Sequence, residues 1–281
     1  LENMNIKPRE WILPIEDLEA LSLNELERYK LLKDKIDELK ENLSSNEGDS
    51  LNEKINVKWD LENQGKGIFP VNAASKLESD LLNSRLNKLQ SIISQTGPCQ
   101  KKLVQLGKES EEIIFAKRSA LFIEPGRLKA KVVMQSWLMH LKLSAYHEQS
   151  KETIVVTRTS SFKKNEEYQI SLRWSPLSSN EALTILGTLR MLTKHGLKEC
   201  WPIPPESGWA LAKARKESQL KGDKAFIKTW DGGFNTHGEC RKEEMYICFG
   251  INCKASIFLE NNEIEEAFSL LYDPIIENLS N

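Results

Sequence analysis

Between residues 73 and 158 the hydrophobic pattern changes period more than once, and this constrains the fold more than any other feature of the chain. From Ala73 to Ile93, Leu77, Leu81, Leu82, Leu86, Leu89, Ile92 and Ile93 recur at helical spacing and predict a long helix with one buried face. After Thr96-Gly97-Pro98 the rhythm turns to short strand-like pieces: KKLVQL, EEIIFA, SALFI and RLKAKVV. Glu124-Pro125-Gly126-Arg127 predicts a tight turn between the last two. A helix is expected from about Met134 to Glu148, with Trp137, Leu138, Leu141 and Ala145 on one face, and then a strand from Thr153 to Arg158. Helix, three or four strands, helix, strand is the order of an α/β (mixed α+β) core, here residues 71–160.

The flanking segments are simpler. Residues 1–70 read as an N-terminal helical segment and a polar loop. Within it Leu23–Leu43 carries Leu26, Tyr29, Leu32, Ile36 and Leu39 at helical spacing, with Ser22 and Glu25 placed as a capping box. The Ser44–Lys54 stretch lacks periodicity. Residues 161–281 read as a mixed extension packed on the core, the whole forming one domain. Its expected elements are a strand at Tyr168–Trp174, a helix at Asn180–Lys194, a connector through Pro202, Pro204 and Pro205, and a helix at Ser207–Leu220. Glu243–Cys253 is apolar and ambiguous, and Glu263–Tyr272 is helical with Asp273-Pro274 bending its last turn. The opening Leu1-Glu2-Asn3-Met4 reads as the start of a fragment or as a cloning remnant.

Composition excludes several classes. At 281 residues, 40% hydrophobic and 28% charged, the chain has the make-up of an ordinary globular protein, and seven tryptophans favour a packed core or an interface. A net charge of −2 supplies no global attraction to nucleic acid, so DNA contact must come from a local patch. No apolar run approaches the roughly 18 residues needed to cross a bilayer. Five cysteines without framework spacing point to a reduced, cytoplasmic setting.

The chemistry-bearing motifs are mostly missing. There is no GxxxxGK[ST] to cradle a nucleotide, and no HExxH, CxxC, GxSxG or GxGxxG, so no cofactor is expected. His237, Cys240, Cys248 and Cys253 fall in one window but lack the paired knuckles of a zinc site, and Cys248 sits in an apolar run. His140 and His147, seven apart on one helix face, are too few for a site. The αβββαβ order is that of restriction-endonuclease-like nucleases. Those need an acid at a strand end and an E-x-K or D-x-K tripeptide on the next strand, because carboxylates hold the metal that activates water while the lysine positions it. The corresponding hairpin here, RSALFIEPGRLKAKVV, has Ser119 and Ala120 where an aspartate is wanted, and no acid two before Lys129 or Lys131. Glu124 is its only carboxylate, so the catalytic acids are absent and no metal site is expected. Arg127, Lys129 and Lys131, with Lys117 and Arg118 opposite, form either a phosphate-contacting patch or a solvated strand face.

Five stretches, in matching order, resemble the C-terminal part of RecC, the gamma subunit of exodeoxyribonuclease V. LSLNELERYKLLKDKIDEL carries Glu27-Arg28-Tyr29, and GKGIFPVNAASKLESDL carries Gly67, Pro70 and Ala73. RLKAKVVMQSWLMHLKLSA carries Trp137, Leu138, His140 and Leu141. The long stretch SNEALTILGTLRMLTKHGLKECWPIPPESGWALAKA carries a long helix, a proline-rich connector and the helix start Glu206-Ser207-Gly208, and AFIKTWDGGFNTHGE carries Trp230, Gly232, Gly238 and Glu239. The resemblance implies a non-catalytic domain of nuclease-like fold. It also implies a place in a complex with RecB-like and RecD-like subunits that splits duplex DNA ends and channels the single strands. Neither membrane nor small-molecule substrate is implied.

On this reading Trp201 and Trp209, beside the prolines, are candidate partner anchors. Phe162 with Lys163 and Lys164, in the loop Thr159–Glu167, are candidates for stacking on a separated strand. The rival is an active metal-dependent nuclease in which Glu109, Glu111 or Glu112 converge on a divalent ion. A third reading, a binding module of an unrelated repair or phage system, holds if the motif order is coincidence.

Overall fold

A computed structural model describes residues 23–42, 61–70, 72–117, 119–147, 151–159, 168–199, 203–233, 236–250 and 253–280. Helix α1 (Glu25–Asn42) opens on a reciprocal capping box: Glu27 N donates to Asn24 Oδ1 and Asn24 N to Glu27 Oε2, both at 2.9 Å. The box lies two residues beyond the expected one because Glu25 is taken by arginines; Ser22 lies outside the described residues. Leu31, Leu32 and Ile36 form its buried side, whereas Leu26 is 62% exposed. Helix α2 (Asn72–Gln95) buries Leu82, Leu86 and Leu89 and leaves Leu77 exposed, so its inward stripe is narrower than its leucine count suggests.

A five-stranded sheet follows, in the order β1 (Gln100–Leu106), β2 (Glu109–Phe115), β3 (Ser119–Arg127), β4 (Glu152–Arg158) and β5 (Tyr168–Trp174). β1 to β3 run antiparallel in turn, β3 and β4 are parallel, and β5 returns antiparallel. The parallel pair requires a crossover, which is helix α3 (Ala130–Tyr146). Two sequence expectations are corrected here. Glu124-Pro125-Gly126-Arg127 is not a turn between strands; it is the irregular end of β3, where the register with β4 shifts between Ile123 and Arg127. RLKAKVV is not a strand, because from Ala130 it belongs to α3: Ala130, Val133, Trp137 and Leu141 recur at helical spacing and are wholly buried, and that period overrides the β preference of the two valines.

The sheet carries a layer on each face. Ile154 and Val156 of β4 pack with Leu121 and Ile123 of β3 against Ile36 of α1 and Leu86 and Leu89 of α2. Val155 points the other way, into a larger core with Trp137, Trp174, Trp230, Phe226 and Phe258. That core draws in the C-terminal elements: α4 (Ser179–Glu199), α5 (Pro205–Arg215), α6 (Gln219–Asp231), the two-residue strands β6 (Gly232–Gly233) and β7 (Thr236–His237), α7 (Glu243–Phe249), α8 (Ser256–Leu259) and α9 (Asn262–Glu277). The helix expected over Ser207–Leu220 is two, divided where Ser218 caps α6 by accepting from Lys221 N. The ambiguous 243–253 stretch holds a short helix with no buried residue, and Pro274 lies inside α9, which runs on from Tyr272 to Glu277. Among the described residues no helix is long and apolar enough to cross a membrane.

Candidate functional site

β2 and β3 are paired at one end only, through Ile114 with Leu121 and Phe115 with Ala120. Beyond these pairs the strands part, and a cleft of about 560 Å³ opens between α1 and α3. Nuclease-like sheets would place their acids in such a split, so the carboxylates here decide what it can do. Glu111 on β2 accepts from Lys142 Nζ of α3 at 2.5 Å, and Glu109 accepts from the same ammonium at 2.8 Å. Glu112 pairs with Lys101 Nζ of β1 at 2.7 Å. Glu124 Oε1, on β3, accepts the Gly126 backbone N–H at 2.8 Å and so stabilises the irregular end of its own strand. Burial, then the Glu124 charge beside it, push the Tyr29 hydroxyl of α1 upward in pKa. Lys142 is held protonated above its ordinary range by Glu109 and Glu111, and Glu109 is held below the usual carboxylate range by Lys142. Of the cleft's carboxylates, Glu111, Glu112 and Glu124 each accept from a lysine or a backbone amide and Asp37 of α1 is also engaged, while Glu109 shares Lys142 from beside the cleft.

Those residues singled out in the sequence that the structure describes fall on separate elements. Arg127 ends β3 half-buried and engaged, while Lys129 occupies the N-cap position of α3 and Lys131 its first turn, both exposed. The three therefore straddle a strand end and a helix start instead of lining one strand face. Phe162, Lys163, Lys164 and Trp201 lie outside the described residues, as does Arg118. Trp209 stands in α5 within the large core, 8% exposed. His140 is buried with Nδ1 2.8 Å from Thr153 Oγ1, and desolvation lowers its pKa to about 4; His147 packs on Phe115. Cys240 and Cys253 pack against the large core and Cys248 is exposed. Among the described residues no group of three or more His, Cys, Asp or Glu is arranged to hold a metal ion.

Two polar clusters escape any reading by spacing. Glu25 of α1 takes Arg28 at 2.8 Å, Arg85 of α2 at 3.2 Å and Arg158 of β4 at 2.8 Å. Desolvation alone would raise its pKa; the hydrogen bonds from Arg158, Arg28 and Arg85 outweigh that and hold it at about 2. Glu239, 3% exposed, accepts from Glu206 N at 3.0 Å and from Ser207 N and Oγ at 2.7 Å, capping α5. Glu206 in turn accepts from Ala130 N, at the start of α3. The only advance signal was the pair of motifs Glu206-Ser207-Gly208 and Gly238-Glu239, and neither reveals that they meet.

A search of curated proteins finds no match. Comparison with protein families matches the RecC C-terminal domain over residues 2–216, so the last resemblant stretch, AFIKTWDGGFNTHGE, lies past the matched region. With well over half of its 281 residues inside that match, the chain belongs to the RecC C-terminal domain family.

Proposed function

We propose that this chain is the C-terminal, non-catalytic domain of a RecC-like subunit of exodeoxyribonuclease V. In that role it scaffolds RecB-like and RecD-like partners and helps split and channel duplex DNA ends during recombinational double-strand-break repair in the cytoplasm. Family membership supports the subunit role. The helix–three strands–helix–strand order of α2 through β4 supports a restriction-endonuclease-like core over 71–160, preceded by a helical segment and polar loop over 1–70 and followed by a mixed extension over 161–281 packed on the core. The large core, which runs from Ala130 to Ile276, supports treating the last two segments as one unit.

One observation carries the non-catalytic reading: the Lys142 ammonium sits between Glu109 and Glu111, where a divalent ion would need open carboxylates. Arg127, Lys129 and Lys131, with Phe162, Lys163 and Lys164, are our candidates for DNA contact. Trp201 and Trp209 are our candidate partner anchors, Trp209 acting from inside the core by fixing the position of α5.

Co-expression with the RecB-type and RecD-type subunits of the same genome, followed by gel filtration with and without forked DNA, tests the proposal. A shared peak, and no degradation of linear DNA by the isolated chain in Mg²⁺ or Mn²⁺, is the expected result. Metal-dependent degradation would instead favour the active-nuclease reading.

A further inference from the structure

Helix α4 runs for 21 residues, yet from Gly187 to Lys198 none is buried. A half-helix in water draws little stability from propensity alone, and an apolar stripe along it adds exposed surface that packing normally covers. That stripe is present. It is mixed: on the side of α4 that walls a cleft of about 930 Å³, Leu186 and Leu189 form the apolar floor and Arg190, Thr193 and Lys194 the polar edge. Leu197, 82% exposed, continues the same stripe toward the helix end. The opposite wall is α3, through Leu138 (40% exposed), Lys142 and Tyr146 (37% exposed), one turn apart each. The β1–β2 turn, Leu106 to Glu109, closes one end.

The cleft is apolar within and basic at its margin. Lys108, Arg190 and Lys194 make no ion pair among the described residues, and the cleft's single acid, Glu109, is already matched by Lys142 at 2.8 Å. A volume of this size is about that of two turns of α-helix with its side chains. The aliphatic lining disfavours single-stranded nucleic acid, whose bases seek successive aromatic platforms. Among the described residues Tyr146 is the only aromatic one lining the cleft, and its ring lies against Gly107.

We propose that this cleft seats an acidic amphipathic helix of a partner protein, its apolar face between α3 and α4 and its carboxylates on the Lys108, Arg190 and Lys194 margin. This adds a specific surface to the RecC-like reading without depending on it, since a subunit of that kind can hold its partners through other faces.

The test uses the full chain and two fluorescein-labelled peptides of roughly 18 residues, long enough to be helical when bound. Both carry leucines at i, i+3, i+4 and i+7; one has glutamates between them, the other lysines. By fluorescence anisotropy the acidic peptide is expected to bind at least about tenfold more tightly, and the double variant R190E/K194E to abolish that preference. Both positions are exposed, so the variant should keep its circular dichroism spectrum and melting temperature. Leu138→Asp should weaken the acidic peptide as well. Equal binding of the two peptides, or a preference that survives R190E/K194E, would overturn the proposal. So would an oligothymidine that binds more tightly than the acidic peptide and is lost in the same variant. None of these outcomes bears on the co-purification result, so the two readings fail separately.

Discussion

Glu239 is a carboxylate in the interior, and it survives there because three donors from the first turn of α5 converge on it. Removing it leaves the buried N–H and hydroxyl of Ser207 and the partly buried N–H of Glu206 to find other acceptors. Glu239→Ala is therefore expected to cost about 2–4 kcal/mol, read as a fall in the urea midpoint, with Glu239→Gln in between because its amide oxygen still accepts. His140 sets a different residue-scale expectation. It lies between Trp137 and Trp174, at ring-centroid distances of 5.4 and 6.0 Å, where a cation would lose its hydration. Burial holds its pKa at about 4 against an ordinary 6.5, so between those values the unfolded chain binds more protons than the folded one. The stability His140 contributes is present above pH 6.5 and lost as pH falls toward 4, on the order of 3 kcal/mol. Denaturation midpoints across pH 4–7 for the wild type and His140→Gln check this; the variant's slope should be shallower by up to one proton.

At the scale of elements, packing of α5 against α9 depends on a missing side chain. A methyl group on Gly208 would fall 2.7 Å from both Phe268 and Tyr272, while the Tyr272 hydroxyl donates to Pro205 O at 3.0 Å. Gly208→Ala should push the helices apart and cost roughly 1–3 kcal/mol, visible as a lowered thermal midpoint and loss of near-ultraviolet aromatic signal. Gly238 tolerates still less, since its methyl would meet backbone atoms of Trp230 and Asp231 within 2.5 Å. The elements most legible in the sequence were those whose local pattern agrees with their packing. Tyr168–Trp174 is found as expected, and the strand expected at Thr153–Arg158 gains only Glu152. The illegible ones were those where two local signals compete. Pro125 and Gly126 signal a turn but sit in a strand that bends, and Val132 and Val133 signal a strand but sit in a crossover helix.

At the scale of the molecule, the two faces of the sheet are closed by different parts of the chain: α1 and α2 on one side, α3 with the C-terminal helices on the other. Part of the second layer lies beyond the family match, yet Glu239 reaches back to cap α5 inside it, so truncation near residue 216 should unfold more than the removed segment. Limited proteolysis of a 1–216 fragment, compared with the whole chain, checks this; new cleavage within α5 or α3 is expected. If the split between β2 and β3 has no open carboxylates, Mn²⁺ in excess should leave the melting temperature of the whole chain unchanged to within about 1 °C.

The sequence by itself determined the order of helices and strands over most of the core. Hydrophobic period and turn chemistry act between residues two to four apart, and they are written locally. It also located the family resemblance and the scarcity of acids around Ser119 and Ala120. Only the tertiary structure decided which charges meet. Lys142 reaches Glu109 and Glu111 from 33 and 31 residues away, Arg158 reaches Glu25 across 133, and Ser207 reaches Glu239 across 32. No spacing encodes such pairs. They exist because the packing of α1 and α2 on one face, and of α3 and α5 on the other, carries each cation or amide to its carboxylate.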